Sequence, residues 1–264
     1  MPIAMPLKAA LRSGGLIGLC LGAAALAAGA GAAATAPRPD INVAERGFFD
    51  ALERHDHRRW ERSSGWSNGL GFGCSWRGDN VRFENGAMTL VLVDTPGRDH
   101  RLSCGEYRTH DHYHYGRYEV SMRAARGSGV ISAFFLYTGS PFKTAWHETT
   151  IEILGRDTTQ VQFTYFIDGE PQSTTIDLGF DAAEDFHTYT IDWQPEAISW
   201  YVNGELKHVD RAADGPLPSV PGRIFAHMWN NDGLTEWAGP FRYAGEPITA
   251  AYQWIRYTPR GAAE

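Results

Sequence analysis

The chain has 264 residues, 43% hydrophobic and 12% aromatic with nine tryptophans, and 31 acidic against 24 basic side chains give a net charge of −7. The basic residues are scattered rather than clustered, which excludes the electrostatic footprint of a nucleic-acid binder, and the acidic balance disfavours a strongly anionic glycan as ligand. Once a leader is set aside, about 230 residues remain, enough for one sizeable core, and neither an internal repeat nor a Gly/Ser linker divides them.

Lys8 and Arg12 precede an apolar stretch from Leu16 to Ala28, and Ala32-Ala33-Ala34 follows as a small-residue cleavage site. Residues 1–36 therefore read as a secretory signal peptide. The stretch is too short and too rich in Ala and Gly for a membrane anchor, and Leu19 before Cys20 is too large for lipoprotein processing. Residues 37–264 are expected to form a single domain, secreted or periplasmic. The best helical candidate runs from Asn42 to Arg54, a segment that reads equally as an entry loop. Cys74 and Cys104 are the only cysteines beyond the leader, and an even number in an exported chain predicts one disulfide. His110, His112 and His114 alternate with Tyr113 and Tyr115. That spacing predicts a polar strand face rather than a metal site, since no second cluster supplies further ligands.

Period-2 alternation marks strands at Tyr118–Arg123, Val161–Phe166, Tyr189–Trp193 and Ile198–Val202, each bounded by Gly, Pro, Asn or Asp. Asn203-Gly204 carries the signature of a two-residue hairpin turn. The run from Trp146 to Gly155 is crowded with β-branched residues and holds Glu148 and Glu152 four positions apart. On a strand Glu148, Thr150 and Glu152 share one face, while Thr149, Ile151 and Ile153 point to the other, toward a packed layer. Positions four apart lie about 13 Å from each other along a strand, and inward-leaning Glu side chains bring the carboxyls toward the roughly 5–5.5 Å of a retaining glycosidase. Acetal cleavage needs such a pair, one carboxylate at the anomeric carbon and one protonated acid at the leaving oxygen. Paired Glu on a strand more commonly form a solvated face. Here Trp146, His147, Gln162, Tyr165 and Phe166 crowd the pair, and aromatic faces suit the C–H faces of pyranose rings.

Gly65-Trp66-Ser67-Asn68-Gly69, Cys74-Ser75-Trp76-Arg77, Cys104-Gly105-Glu106-Tyr107-Arg108, the run from Glu148 to Phe163, Trp193-Gln194-Pro195, Glu236-Trp237 and Trp254-Ile255-Arg256-Tyr257 follow one another along the mature chain. In that order they resemble glycoside hydrolase family 16, in particular bacterial lichenases and exopolysaccharide-trimming endo-β-glucanases. The resemblance implies an all-β fold, a two-sheet antiparallel jelly-roll sandwich of the concanavalin A type with a substrate cleft on its concave sheet. It places Glu148 on the nucleophile and Glu152 on the general acid/base, and it places Trp146, Glu106, Arg108, Asn68, Tyr137, Gln162, Trp229 and Glu236 along the sugar subsites. The expected partner is a polysaccharide, β-1,3-1,4-type glucan or a related bacterial exopolysaccharide. No cofactor, no nucleic acid, no membrane after signal removal and a monomeric state are expected.

The departures from the family pattern carry their own expectations. Thr150 stands where an Asp usually lies between the two acids, so one charge near Glu152 is missing. His147 replaces an Asp before the nucleophile and is expected to restore some tuning. His227 replaces a substrate-facing Asn, and Thr164 and Phe166 differ on the following strand. Gln253 replaces an Asp that helps hold a structural calcium, so calcium affinity is expected to fall or vanish. A transglycosylase, which shares the glycosyl-enzyme intermediate, and a glycan-binding protein that has lost catalysis both remain open alternatives.

Overall fold

Strands dominate residues 41–262, which the computed structural model describes; the expected signal peptide, 1–36, lies outside them. In chain order they are β1 (Phe48–Asp50), β2 (Trp60–Arg62), β3 (Cys74–Trp76), β4 (Val81–Glu84), β5 (Ala87–Leu92), β6 (Leu102–Thr109), β7 (Gly116–Arg123), β8 (Val130–Thr138), β9 (His147–Leu154), β10 (Gln160–Ile167), β11 (Glu170–Asp177), β12 (His187–Trp193), β13 (Ala197–Val202), β14 (Glu205–Arg211), β15 (Arg223–Asn230) and β16 (Ile248–Pro259). A short α-helix, α1 (Thr235–Ala238), follows β15, and two 3-10 turns lie at Gly78–Asn80 and Ser140–Phe142.

The strands form two sheets. The first has the order β14-β13-β12-β7-β16-β5-β4, with β1 also on β16, and the second has the order β11-β10-β9-β8-β15-β6-β2, with β3 also on β6. Pairing is antiparallel except for β3 on β6, which is parallel. Hairpin chemistry fixes several registers. Asn203-Gly204 joins β13 to β14 with φ of 51° and 80°, and Asp168-Gly169 joins β10 to β11 with φ of 52° and 84°. Both turns need positive φ at each central position.

Between the sheets Val120, Met122, Ile191, Trp200 and Tyr252 of the first pack against Phe134, Ile151, Ile153 and Phe163 of the second, all buried. Phe163 stacks on Trp200 across the interface at 5.6 Å. Each such side chain contributes about 1.5–3 kcal/mol on burial. A second apolar cluster lies on the opposite face of the second sheet, where Ala133, Phe135, Tyr137 and Phe225 pack with Trp66, Phe142 and Trp146. This is the jelly-roll sandwich the resemblance implied, with an aromatic floor on its outer face.

Two local expectations are corrected. Asn42 to Arg54 is not a helix: Phe48–Asp50 pairs with Ile255–Tyr257 as β1, and the chain then turns at Leu52, whose backbone N–H donates to Asp50 Oδ1 at 3.0 Å. Strand pairing with the far end of the chain outweighs a local helical pattern. The three histidines do not line one strand face either, because β6 ends at Thr109. His110 bonds the His57 carbonyl, His112 is buried edge-on to Phe142, and His114 bonds the Ser219 carbonyl.

Cys74 and Cys104 form a disulfide across 30 residues, tying β3 to β6. Closing a loop of that length stabilises the fold by about 3–4 kcal/mol in the chain-entropy model. The double substitution Cys74→Ser/Cys104→Ser should therefore lower Tm by roughly 10 °C. Two alkylatable thiols in the native protein would contradict this.

Candidate active site

On β9 the alternation works as expected: Ile151 and Ile153 are fully buried in the core, and the opposite face carries Glu148, Thr150 and Glu152. Strand pairing supplies their neighbours. Glu148 lies between Tyr137 of β8 and Phe166 of β10, Thr150 between Phe135 and Thr164, and Glu152 between Ala133 and Gln162. Beyond Ala133, the same row continues to His227 of β15 and Glu106 of β6.

Aromatic groups wall both ends of this row. At the Glu148 end Trp146 stacks on Phe166 at 5.2 Å, and its indole N–H donates to Glu148 Oε2 at 3.0 Å. At the Glu152 end the Trp237 indole N–H donates to Gln162 Oε1 at 2.9 Å, and Gln162 Nε2 donates to Glu152 Oε2 at 3.3 Å. Glu148 is only 6% exposed, while Glu152 is half-buried. Burial is the first cause of a raised pKa at both. It lifts Glu148 to about 8, opposed by the Trp146 hydrogen bond and reinforced by the charge of Glu152, and it lifts Glu152 to about 7. Two like charges in one dry groove do not ionise independently. Near neutral pH the pair therefore keeps a proton. The higher value stays with Glu148 although the Trp146 hydrogen bond, which favours its anion, acts against the push of burial.

The other expected residues divide by position. Trp146, Tyr137 and Gln162 border the acids directly. Arg108 lies one row away, paired with Glu61 through two hydrogen bonds of 3.1 and 2.9 Å and placed over the Trp66 ring. Asn68, Glu106 and Trp229 are buried. Asn68 accepts the Trp76 indole N–H at 2.8 Å. Glu106 accepts the Ser63 hydroxyl at 2.6 Å and lies 3.5 Å from His227 Nδ1. Trp229 is stacked on Phe72 at 3.9 Å. Glu236 is exposed on α1, and its backbone carbonyl accepts from Arg156.

His147 does not join the pair. Strand alternation turns it to the face opposite Glu148, where Nδ1 accepts the Ser219 backbone N–H at 3.0 Å and burial holds the ring below the usual imidazole range. The expected direct tuning is therefore absent. Sequence reasoning passed over Trp237 in favour of its neighbour Glu236. His227, expected at a substrate-facing position, has its ring stacked on Trp76 at 5.6 Å. The Glu236-Trp237 dipeptide was the available signal, but nothing in it says which residue faces the groove.

A buried and a half-buried acid on one strand, set in an aromatic groove on the outer face of a two-sheet sandwich, have the arrangement that cleavage of a glycosidic bond requires. The family model described as Glycosyl hydrolases family 16 matches residues 68–255. A beta-glucanase of Paenibacillus macerans is 45% identical over 213 residues, covering 80% of this chain and 87% of its own. The solved beta-glucanase of Bacillus licheniformis is similar with a TM-score of 0.76 and 42% identity, over 81% of this chain and 98% of that one. A prokaryotic beta-1,3-1,4-glucanase (lichenase) derived from a mouse hindgut metagenome also gives 0.76, at 39% identity over 81% of this chain and 99% of its own. The chain belongs to glycoside hydrolase family 16.

The raised carboxyl pKa values carry a stability cost with a definite sign. An unfolded Glu ionises near 4.5, whereas the buried pair holds its protons up to about 7 and 8. Between those values the folded state binds more protons than the unfolded state, so stability falls as pH rises. Glu148→Gln, which keeps an acceptor for Trp146, should raise Tm by several degrees at pH 8 and by little at pH 4, at about 1.4 kcal/mol per pKa unit. The half-open Glu152 should give a smaller gain. Thermal melts across that pH range check this, and equal Tm changes at both ends would contradict it.

Proposed function

We propose that this chain is a retaining endo-β-glucanase acting on β-1,3-1,4-linked glucan outside the cytoplasm, with Glu148 as nucleophile and Glu152 as general acid/base. One observation carries the reading: the two acids share a face of β9, and their burial keeps one proton on the pair at neutral pH. Glu148, its anion favoured by the Trp146 N–H, attacks the anomeric carbon as Glu152 gives its proton to the departing glycosidic oxygen. Glu152, now ionised, takes a proton from water, whose oxygen displaces Glu148 and completes the second inversion. The Trp146 and Phe166 faces suit uncharged sugar rings, and the named relatives act on β-glucan by their own descriptions. Gln253, at the position the resemblance gives to a calcium carboxylate, already spends its amide oxygen on the Ser121 hydroxyl at 2.9 Å. That donor set does not suit calcium, and no step of this reading uses a metal.

The test is release of reducing ends from mixed-linkage glucan, with proton NMR of the first product anomer. Wild-type protein should release β-anomer first. Glu148→Gln and Glu152→Gln should each lower turnover on the order of 10³-fold while the fold persists. More than a few per cent of activity in either variant would overturn the role of that residue. Products longer than the supplied oligosaccharide would mark a transglycosylase, and binding without any release would mark a glycan-binding protein.

A further inference from the structure

Gln162 presents an amide whose two ends are chemical opposites, and its neighbours decide which end Glu152 meets. The Trp237 indole N–H is a donor only, and it lies 2.9 Å from Gln162 Oε1. The amide oxygen is thereby held toward α1. Nε2 is left to face Glu152 Oε2 at 3.3 Å and Thr164 Oγ1 at 3.0 Å. Thr164 Oγ1 in turn shares a hydrogen bond of 3.0 Å with Ser173 Oγ, in which either hydroxyl can donate, and it keeps a lone pair to accept from Gln162 in both cases. Donation runs from Trp237 to Gln162 and from Gln162 to Glu152 and Thr164.

We propose that Trp237 is a positioning residue for acid–base catalysis: by locking the Gln162 amide it keeps an N–H donor on Glu152 Oε2 and reserves Oε1 for the catalytic proton. In a carboxylic acid the carbonyl oxygen is a much better hydrogen-bond acceptor than the hydroxyl oxygen. With N–H on Oε2, the acidic proton belongs on Oε1. In the first step Oε1–H passes its proton to the glycosidic oxygen, which takes the electron pair of the breaking C–O bond. In the second step Oε1 recovers a proton from the attacking water. An amide released from Trp237 is free to turn its oxygen toward Glu152, accept the proton from Oε2 and hold it away from the leaving group.

The inference rests on Glu152 being the acid/base proposed above, and its test separates the two. Trp237→Phe keeps a six-membered aromatic ring and removes the N–H together with the rest of the pyrrole ring. On mixed-linkage glucan, kcat should fall roughly 10-fold or more, part of the 10²–10⁴ that general acid catalysis contributes, with KM little changed. The basic limb of kcat/KM should move to higher pH, because an accepting amide oxygen favours protonated Glu152. The other groups around Glu152 stay the same in this comparison: Glu148 on β9, His227 and Glu106 beyond Ala133, and the neutral Gln162 and Thr164 on β10, while Glu236 on α1 is exposed. A 2,4-dinitrophenyl β-glycoside of the matching oligosaccharide needs no proton to leave, so its initial burst should be nearly unaffected. Gln162→Leu should reproduce the kcat loss, and adding Trp237→Phe to it should cost nothing further.

Equal losses on both substrates, an unmoved basic limb or additive effects in the double variant would overturn the proposal. So would a change confined to KM, which would make Trp237 a sugar platform. Should Trp237→Phe not fold, the same substrate pair applied to Gln162→Leu decides the matter, since an equal loss on both substrates there also overturns the tether. Glu152→Gln is the independent check. If it spares turnover of the glucan, the acid/base role of Glu152 fails whatever Trp237 does.

Discussion

A β-strand offers two faces and one register, and β9 commits both faces at once. Ile151 and Ile153 fill the core beneath it, while Glu148 and Glu152 occupy the groove above it. A slip of one residue against β8 or β10 would exchange them, drawing two carboxyls into an apolar layer and exposing two isoleucines. Neighbours on both sides of β9 fix its register, so the geometry of the acids is inherited from the packing of the core. The floor between them is also set by register: Phe135 and Thr164 flank Thr150.

The walls that bury the acids also direct their protons. Loss of water lifts both carboxyls out of the usual Glu range, and a single indole N–H at each end then acts on one of them, Trp146 directly and Trp237 through Gln162. Thr150 leaves the groove with two carboxyls rather than three. A third anion between them would press both pKa values higher still. The buried pair of Glu106 and His227 stands beyond Ala133, where it shapes the groove without sharing a hydrogen bond with either acid.

The parts of this arrangement that were legible in the sequence are those fixed by local chemistry. Alternation from Thr149 to Ile153 gave the acids a common face, and Asn203-Gly204 gave a hairpin because its φ values suit few other residues. Residues whose partners are remote in sequence were not legible. Phe48–Asp50 becomes a strand only because Ile255–Tyr257 lies beside it, and the histidines after Thr109 scatter because the strand stops there. Alternation already turned His147 away from Glu148, although the resemblance suggested a tuning role for it. Asn68 and Glu106 read as groove residues, yet each is spent on holding a neighbour, Trp76 for the first and Ser63 for the second. In α1, a helix of one turn, no periodicity exists to show that Trp237 rather than Glu236 reaches the site.

The central claim is that burial on one strand face makes the two acids hold a proton between them at neutral pH. Carbon-13 NMR of protein labelled at the Glu carboxyls, titrated from pH 4 to pH 9 and assigned with Glu148→Gln and Glu152→Gln, measures this directly. The account predicts that one carboxyl of the pair stays protonated through neutral pH and that the pair completes its ionisation near or above pH 7. Two carboxyls that both ionise near 4.5, the ordinary Glu value, would contradict it.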